Sequence, residues 1–289
     1  MNDSTRAMIE PVLNNAAFLT DVDRARSDVQ HFHLWWLGQS GFLIQWQERH
    51  LLIDPYLSDS LTKKYANTDK PHVRMTSRPV APESLNFIDV VTSSHNHTDH
   101  LDAETLKPLL RVNPKLEMIL PEANREFVTN RLGIATDIPV GLNRGESALV
   151  AGFNFTAVPS AHENIEVDSL GRCQYLGYVI GFGPWTLYHS GDTVRYDGMA
   201  ELLRQWKIDV VLLPINGRAV ERRVAGNLNG PEAATLAKDI GARLVIPCHY
   251  EMFEFNTASP EEFARTAKTI QQPYRVLRCA ERWSSTELL

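Results

Sequence analysis

Residues 95–100 read His-Asn-His-Thr-Asp-His. Four of these six side chains, His95, His97, Asp99 and His100, are good ligands for a hard or borderline metal ion. Imidazole and carboxylate without thiolate suit zinc, manganese or iron. His95 and His97 are two apart, so in an extended loop their side chains point the same way and can grip one ion. Asp99 and His100 follow at a turn and can face a second. Farther along the chain, His162 can complete the first set and His249 the second, while Asp192, with two carboxylate oxygens, can bridge both. Two such ions a few ångströms apart would hold a bridging water, lower its pKa toward neutrality and polarise a carbonyl or phosphoryl oxygen. The chemistry this implies is hydrolysis without a covalent enzyme intermediate.

These residues share one kind of position, each just after an expected strand. Short strands are expected at Leu34–Leu37, Gly41–Trp46 and Leu51–Ile53, the last ending at Asp54-Pro55. Phe87–Thr92, rich in β-branched residues, reads as a buried strand leading into the histidine-rich loop. Helical patterns follow at Ala103–Leu110 and Pro121–Leu132, the second stopping at Gly133. Phe153–Val158 alternates as a strand and precedes His162. Gln174–Gly181 and Trp185–Tyr188 form a hairpin that ends at His189-Ser190-Gly191-Asp192. Ile208–Leu213 is another buried strand. Pro231–Ile240 reads as a helix with proline at its first position. Arg243–Ile246 is the strand before Pro247-Cys248-His249, and Ser259-Pro260-Glu261-Glu262 starts a last helix. Asp54, the 95–100 loop, His162, Asp192 and His249 can therefore converge on one rim of a layered sheet structure, where open α/β folds place their chemistry.

Composition bounds the rest. At 289 residues, 43% hydrophobic and 22% charged, the chain has ample material for a sizeable core. A net charge of −6 argues against a nucleic-acid partner. The three cysteines, Cys173, Cys248 and Cys279, form neither a disulfide framework nor a thiolate zinc site and fit a reducing compartment. No secretory signal is visible at Met1–Thr5 and no stretch is long enough to span a bilayer, so a soluble cytoplasmic protein is expected. Residues 1–30 read as an arm, with a short helix over Ala7–Leu19 broken at Pro11. Residues 31–289 read as one domain.

The His-x-His-x-Asp-His run, with Asp54 before it and His162, Asp192 and His249 after it, resembles the signature of the metallo-β-lactamase superfamily from Leu34 to Phe255. The resemblance implies an αββα four-layer sandwich. It places His95, His97 and His162 on one metal, Asp99, His100 and His249 on the other, and Asp192 between them. Asp54 would orient the loop from behind. More narrowly, Trp35-Trp36-Leu37-Gly38, Leu187–Asp192 and Val245–His249 are similar to the ascorbate-6-phosphate lactonase group. Members of that group open a sugar lactone, are associated with manganese and form oligomers. That group tends to carry Asp where this chain has His162. Residues 95–102 also resemble the loop of the N-acylphosphatidylethanolamine-hydrolysing phospholipase D group. The expected activity is thus a metal-dependent lactonase acting on an anionic or phosphorylated sugar lactone with two divalent ions, zinc or manganese, and Asp99 and Asp192 at the reacting water. A phosphodiesterase is the alternative enzyme, and a metal-stabilised scaffold or sensor the non-enzyme alternative.

Other residues carry weaker signals. His189, three before Asp192, is a second residue expected behind the ligands or against substrate, or else a hydrogen-bonded core histidine. Arg218, Arg222 and Arg223 follow the strand Ile208–Leu213 and suit an anionic substituent, as do Lys63, Lys64 and Tyr65. Tyr250 is placed to donate to a developing oxyanion. Trp36 and Gln39-Ser40 sit at a turn that can border the metals. Cys248 reads as a small buried hydrophobe. His31, His33, His50 and His72 read as surface or turn residues.

Overall fold

The computed structural model describes residues 7–219, 221 and 226–288. In the first half, β1 (His33–Gly38), β2 (Gly41–Trp46) and β3 (Arg49–Ile53) form an antiparallel meander. Then β4 (Val90–Thr92), β5 (Glu117–Pro121) and β6 (Pro139–Leu142) add in parallel beside β3. The late strand β13 (Arg282–Ser284) pairs with β1, giving a seven-stranded sheet in the order β13-β1-β2-β3-β4-β5-β6. In the second half, β7 (Ser147–Val150), β8 (Phe153–Pro159), β9 (Leu176–Phe182) and β10 (Trp185–His189) are antiparallel neighbours. The strands β11 (Val210–Pro214) and β12 (Leu244–Cys248) follow in parallel, completing a sheet ordered β12-β11-β10-β9-β8-β7.

The strands of the first sheet read as unbroken apolar runs because both faces are covered. In β1, Leu34 and Trp36 face the second sheet, where they join a core with Phe155, Tyr178 and Ile180. Trp35 and Leu37 face outward beneath α1 (Asn15–Ala25), α3 (Ala103–Val112) and α4 (Arg125–Leu132). On the far side, α6 (Gly230–Asp239) lies against β11 and β12 with Ala233 and Leu236 in the core, and α7 (Pro260–Thr269) packs on α6 and adds Phe263 to the same core. The layers run helix, sheet, sheet, helix, as the αββα reading requires. The short helices α2 (Ser60–Tyr65) and α5 (Met199–Leu203) fill connections.

Several elements differ from the sequence expectation. The N-terminal helix begins at Asn15, beyond Pro11, and belongs to the outer layer: Phe18 packs edge-on against Trp35 at 6.3 Å, and the Trp35 indole donates to Asp21 at 2.9 Å. The helix expected from Pro121 starts at Arg125, because Glu117–Pro121 is drawn into the sheet as β5. The capping box expected at Ser259 does not form: its hydroxyl accepts from the Glu261 amide at the second helical position, an ordinary N-cap bond, and not from Glu262 at the third. The full box occurs at Asn229 and Glu232, ahead of α6. No helix is long and apolar enough among the described residues to cross a membrane.

His50 is buried, contrary to its expected surface position. Burial, reinforced by the Arg26 charge, lowers its pKa to about 4 from an ordinary 6.5. Between those values the unfolded chain binds a proton that the folded chain refuses, so stability rises with pH across that window. Acidification from pH 6.5 to 4 should remove on the order of 3 kcal/mol through this residue. Urea titrations at pH 7 and pH 5 should show a smaller pH difference for His50→Leu than for the unaltered protein. Equal differences would exclude His50 as a source.

Candidate metal centre

The strand directions bring six strand ends to one rim. In the first sheet β1, β3 and β4 run the same way, and in the second so do β8, β10 and β12. Beyond their C-terminal ends lie Gln39, Asp54, His95–His100, His162, Asp192 and His249. The backbone must turn sharply there to aim side chains across the gap. Gln39, Asp54 and His249, each one residue past a strand, have φ of 51°, 38° and 64°. Left-handed backbone at non-glycine residues is held against a strain of about 1–3 kcal/mol each, and such positions gather at functional sites. The turn into Asp192 uses Gly191 at φ 61°, where a Cβ would lie 2.6 Å from Ser94 Cβ. Only glycine lets the Asp192 turn approach the histidine loop this closely.

Two sets of donor atoms result, each clustered tightly enough to hold an ion. One comprises His95, His97 and His162; the other comprises Asp99, His100, Asp192 and His249. The loop divides because the amides of His100 and Leu101 both donate to the His97 carbonyl, at 3.0 and 2.8 Å. That turn swings Asp99 and His100 away from His95 and His97. In the second set, Nε2 of His100 lies 3.3 Å from Asp192 Oδ1 and 3.6 Å from Asp99 Oδ2. Nε2 of His249 lies 3.5 Å from Asp99 Oδ2 and 3.3 Å from Asp192 Oδ2. Ligands on a tetrahedral ion at about 2.1 Å stand roughly 3.4 Å apart, so this set fits a divalent ion. Asp192 Oδ2 is also 3.8 Å from His162 Nε2, which places the carboxylate between the two sets. The buried atoms His95 Nε2, His100 Nε2 and Asp192 Oδ1 have no hydrogen-bond partner among the described residues. Such groups require compensation, which a bound cation would supply.

The opposite ring nitrogens are engaged from behind. His100 Nδ1 faces Asp54 Oδ2 at 2.7 Å, His162 Nδ1 the Gly226 carbonyl at 2.8 Å, and His95 Nδ1 the Ser94 hydroxyl at 3.0 Å. With Nδ1 donating to Asp54 and Gly226, Nε2 of His100 and His162 is left as the lone-pair donor. Asp54 is fully buried and also accepts from the Ser94 amide and the Thr92 hydroxyl, both at 3.0 Å, and from the Ser94 hydroxyl.

The electrostatics differ between the sets. Burial, with the neighbouring charges of His100 and His97, pushes His95 well below its ordinary pKa, so it stays neutral as a ligand must. In the second set, burial opposes ionisation of Asp99 and Asp192. The imidazoles of His100 and His249 outweigh it and hold both carboxyls well below the usual range. Burial likewise opposes protonation of His100, but Asp192 and Asp99 outweigh it and raise its pKa. Two carboxylates demand positive charge here, which a divalent ion would provide.

Five of the donors, His97, Asp99, His162, Asp192 and His249, line a cleft of about 520 Å3. Lys64, Lys70 and Arg131 also line it, together with Tyr65, His72, Phe253 and Phe255. Asp99 and Asp192 are the only carboxylates lining it among the described residues. His72 is thus a cleft residue rather than a surface one, stacked on Tyr65 at 4.2 Å and meeting Phe255 edge-on at 4.5 Å. Lys63 turns away to Glu104 at 2.9 Å, whereas Lys64 lies 5.0 Å from the Tyr65 ring and pairs with no carboxylate among the described residues. Arg131, not singled out by the sequence, donates to Thr98 Oγ1 at 2.8 Å and to the Asn96 carbonyl. It braces the loop between its donor residues while lining the cleft.

Other expected site residues are placed elsewhere. Arg218 does not line the cleft, because a forked pair with Glu232, at 2.7 and 2.5 Å, holds it at the start of α6. Arg222 and Arg223 lie outside the described residues. Tyr250 is buried against Trp36 at 4.3 Å and donates its hydroxyl to the Leu277 carbonyl, so it is not aimed at an oxyanion. His189 bonds to the Ser40 hydroxyl at 3.0 Å and does not line the cleft. Cys248 is fully buried, and burial pushes its thiol pKa well up, as befits a packed core residue. His33 is buried as well.

Comparison with known proteins bears on the family and the fold. The profile of the family described as "Beta-lactamase superfamily domain" matches residues 33–249. A UPF0173 metal-dependent hydrolase of Methanosarcina mazei is 29% identical over 237 residues, covering 81% of this chain and 89% of that protein. An isothiocyanate hydrolase from Delia radicum gut bacteria superposes with a TM-score of 0.69 at 20% identity, over 87% of this chain and 98% of that one. The metallo-β-lactamase-fold protein YhfI of Bacillus subtilis superposes with a TM-score of 0.64 at 19% identity, over 88% of this chain and all (100%) of that one. The chain belongs to the β-lactamase superfamily and has its metallo-β-lactamase fold.

Proposed function

We propose that this member of the β-lactamase superfamily is a hydrolase working with two divalent ions, zinc or manganese, on a small anionic ester, foremost a phosphorylated sugar lactone. The observation that carries the reading is Asp192. Its carboxylate stands between a three-histidine set and a mixed Asp–His set, in a cleft lined by three cationic side chains. His95, His97 and His162 would hold one ion, Asp99, His100 and His249 the other, and Asp192 both. Ions bound there would supply Lewis acidity and a water of near-neutral pKa.

The chain's own residues set up the rest. Asp99, the most accessible donor of its set, presents a carboxylate to the cleft where it can orient a water by hydrogen bonding. Arg131 and Lys64 offer hydrogen bonds to an anionic substituent at the cleft wall. Tyr65 and His72 give a flat surface against which a sugar or other ring can lie.

The choice of bond is tested by parallel assays with a phosphorylated sugar lactone, bis-p-nitrophenyl phosphate and an alkyl isothiocyanate. Turnover of the lactone above the others supports the proposal. Turnover of the diester alone would establish a phosphodiesterase instead. Lys64→Ala should raise KM for the anionic ester roughly tenfold with kcat nearly unchanged, as expected for loss of one charged hydrogen bond. A neutral analogue should show no change, and an unchanged KM for the anion would exclude Lys64 from the substrate site.

A further inference from the structure

Gln39 enters the second donor set beside the four residues already described. It follows β1 in the sharp turn to β2, with φ of 51°. Its backbone carbonyl accepts from the Trp36 indole at 3.0 Å and from the His249 amide at 2.8 Å. The position of Gln39 is therefore fixed to that of His249. Its side chain is buried, 1% exposed, and reaches into the donor set. Nε2 lies 2.8 Å from Asp99 Oδ2 and 3.0 Å from His249 Nε2. The other end of the amide, Oε1, is buried with no partner among the described residues.

This arrangement conflicts with a cation as the amide stands. Its N–H groups address the same lone pairs, on Asp99 and His249, that an ion would use, and an N–H donor cannot itself ligate. A half-turn of the amide exchanges Nε2 and Oε1 and resolves the conflict, and the two orientations are sterically equivalent. The oxygen then replaces the nitrogen near Asp99 and His249. Neighbouring ligands on a five- or six-coordinate ion at about 2.1 Å stand roughly 3 Å apart, the spacing this end of the amide already has.

We infer that Gln39 is a further ligand of the second ion, contributing its side-chain carbonyl oxygen beside Asp99, His100, Asp192 and His249. A neutral oxygen raises the coordination number without adding charge and favours hard ions such as manganese over zinc. The inference rests on the two-ion reading above.

The test is calorimetric titration of Mn2+ into the chelator-stripped full chain and its variants, which needs no activity. The unaltered chain should bind two equivalents. Gln39→Met, close in size but lacking a hard donor, and Gln39→Ala should each weaken one equivalent by about tenfold or more and leave the other unchanged. The retained equivalent doubles as a check on folding. Gln39→Glu, which keeps the oxygen, should bind both at least as tightly as the unaltered chain. Undiminished or tighter binding of both equivalents by the Met and Ala variants would overturn the assignment, as would loss of one equivalent in the Glu variant. A single equivalent in the unaltered chain would overturn the two-ion reading and this assignment with it.

Discussion

Asp192→Ala should lower kcat/KM by on the order of 10³-fold or more, the largest loss expected of any single substitution. Three imidazoles converge on this carboxylate, from His100 at 3.3 Å, His249 at 3.3 Å and His162 at 3.8 Å. It is the one residue placed to serve both proposed ions, so its removal damages both at once. The damage is electrostatic as well as geometric. Asp192 is the leading influence raising the pKa of His100 and His249 against the opposing effect of burial. Without it, the second set keeps Asp99 as its only carboxylate. Asp192→Asn tests the charge alone, since the shape remains. Steady-state kinetics on the best substrate, with metal counted by plasma mass spectrometry, should show Asn nearly as inactive as Ala and short of metal. Activity within tenfold of the unaltered protein in either variant would refute the bridging role.

Asp54 should produce the second-largest effect, and its two substitutions should differ. The carboxylate is fully buried and accepts from the Ser94 amide, the Thr92 and Ser94 hydroxyls and His100. Asp54→Ala strands several buried donors together, which should destabilise the protein by about 3–5 kcal/mol. Asp54→Asn keeps an oxygen for part of that set but can turn an N–H toward His100 Nδ1. The ring would then accept at Nδ1 and carry its proton on Nε2, the atom that faces Asp99 and Asp192. Metal affinity should fall roughly 10- to 100-fold while most of the stability remains. Thermal melts and metal titrations of the two variants check this. Equal metal affinity in Asp54→Asn and the unaltered protein would show that Asp54 acts only in folding.

What could be read from the sequence depended on whether a residue's role is set by its local position. His95, His97, Asp99, His100, His162, Asp192 and His249 each follow a strand, and strand ends are legible from apolar runs and turn residues. Their meeting depends on strand direction, which the parallel and antiparallel pairings supply. Partners chosen by tertiary contact were not legible. Arg218 has the chemistry of an anion-binding residue, but Glu232 beside it takes up its guanidinium, and Tyr250, a hydroxyl donor by type, donates to the Leu277 carbonyl. Arg131 and His72 carry no local signal at all, since they enter the cleft only when α4 and the segment after α2 fold over the rim. Gln39 is legible as part of a turn that can border the donors, but an amide is a weak sequence cue for a ligand. Among strands, β5, β6, β7 and β13 have no clear sequence signal, because runs of three to five residues do not reveal that a neighbouring strand is placed to pair with them.

Hydrolysis by two ions held in these donor sets can be followed by counting metal per chain while activity on the preferred ester is measured through chelation and stepwise restoration with Mn2+ or Zn2+. Activity should disappear with the metal and return as the second equivalent is restored. Full activity in the metal-free protein, or at one equivalent with no further rise, would contradict hydrolysis by two ions.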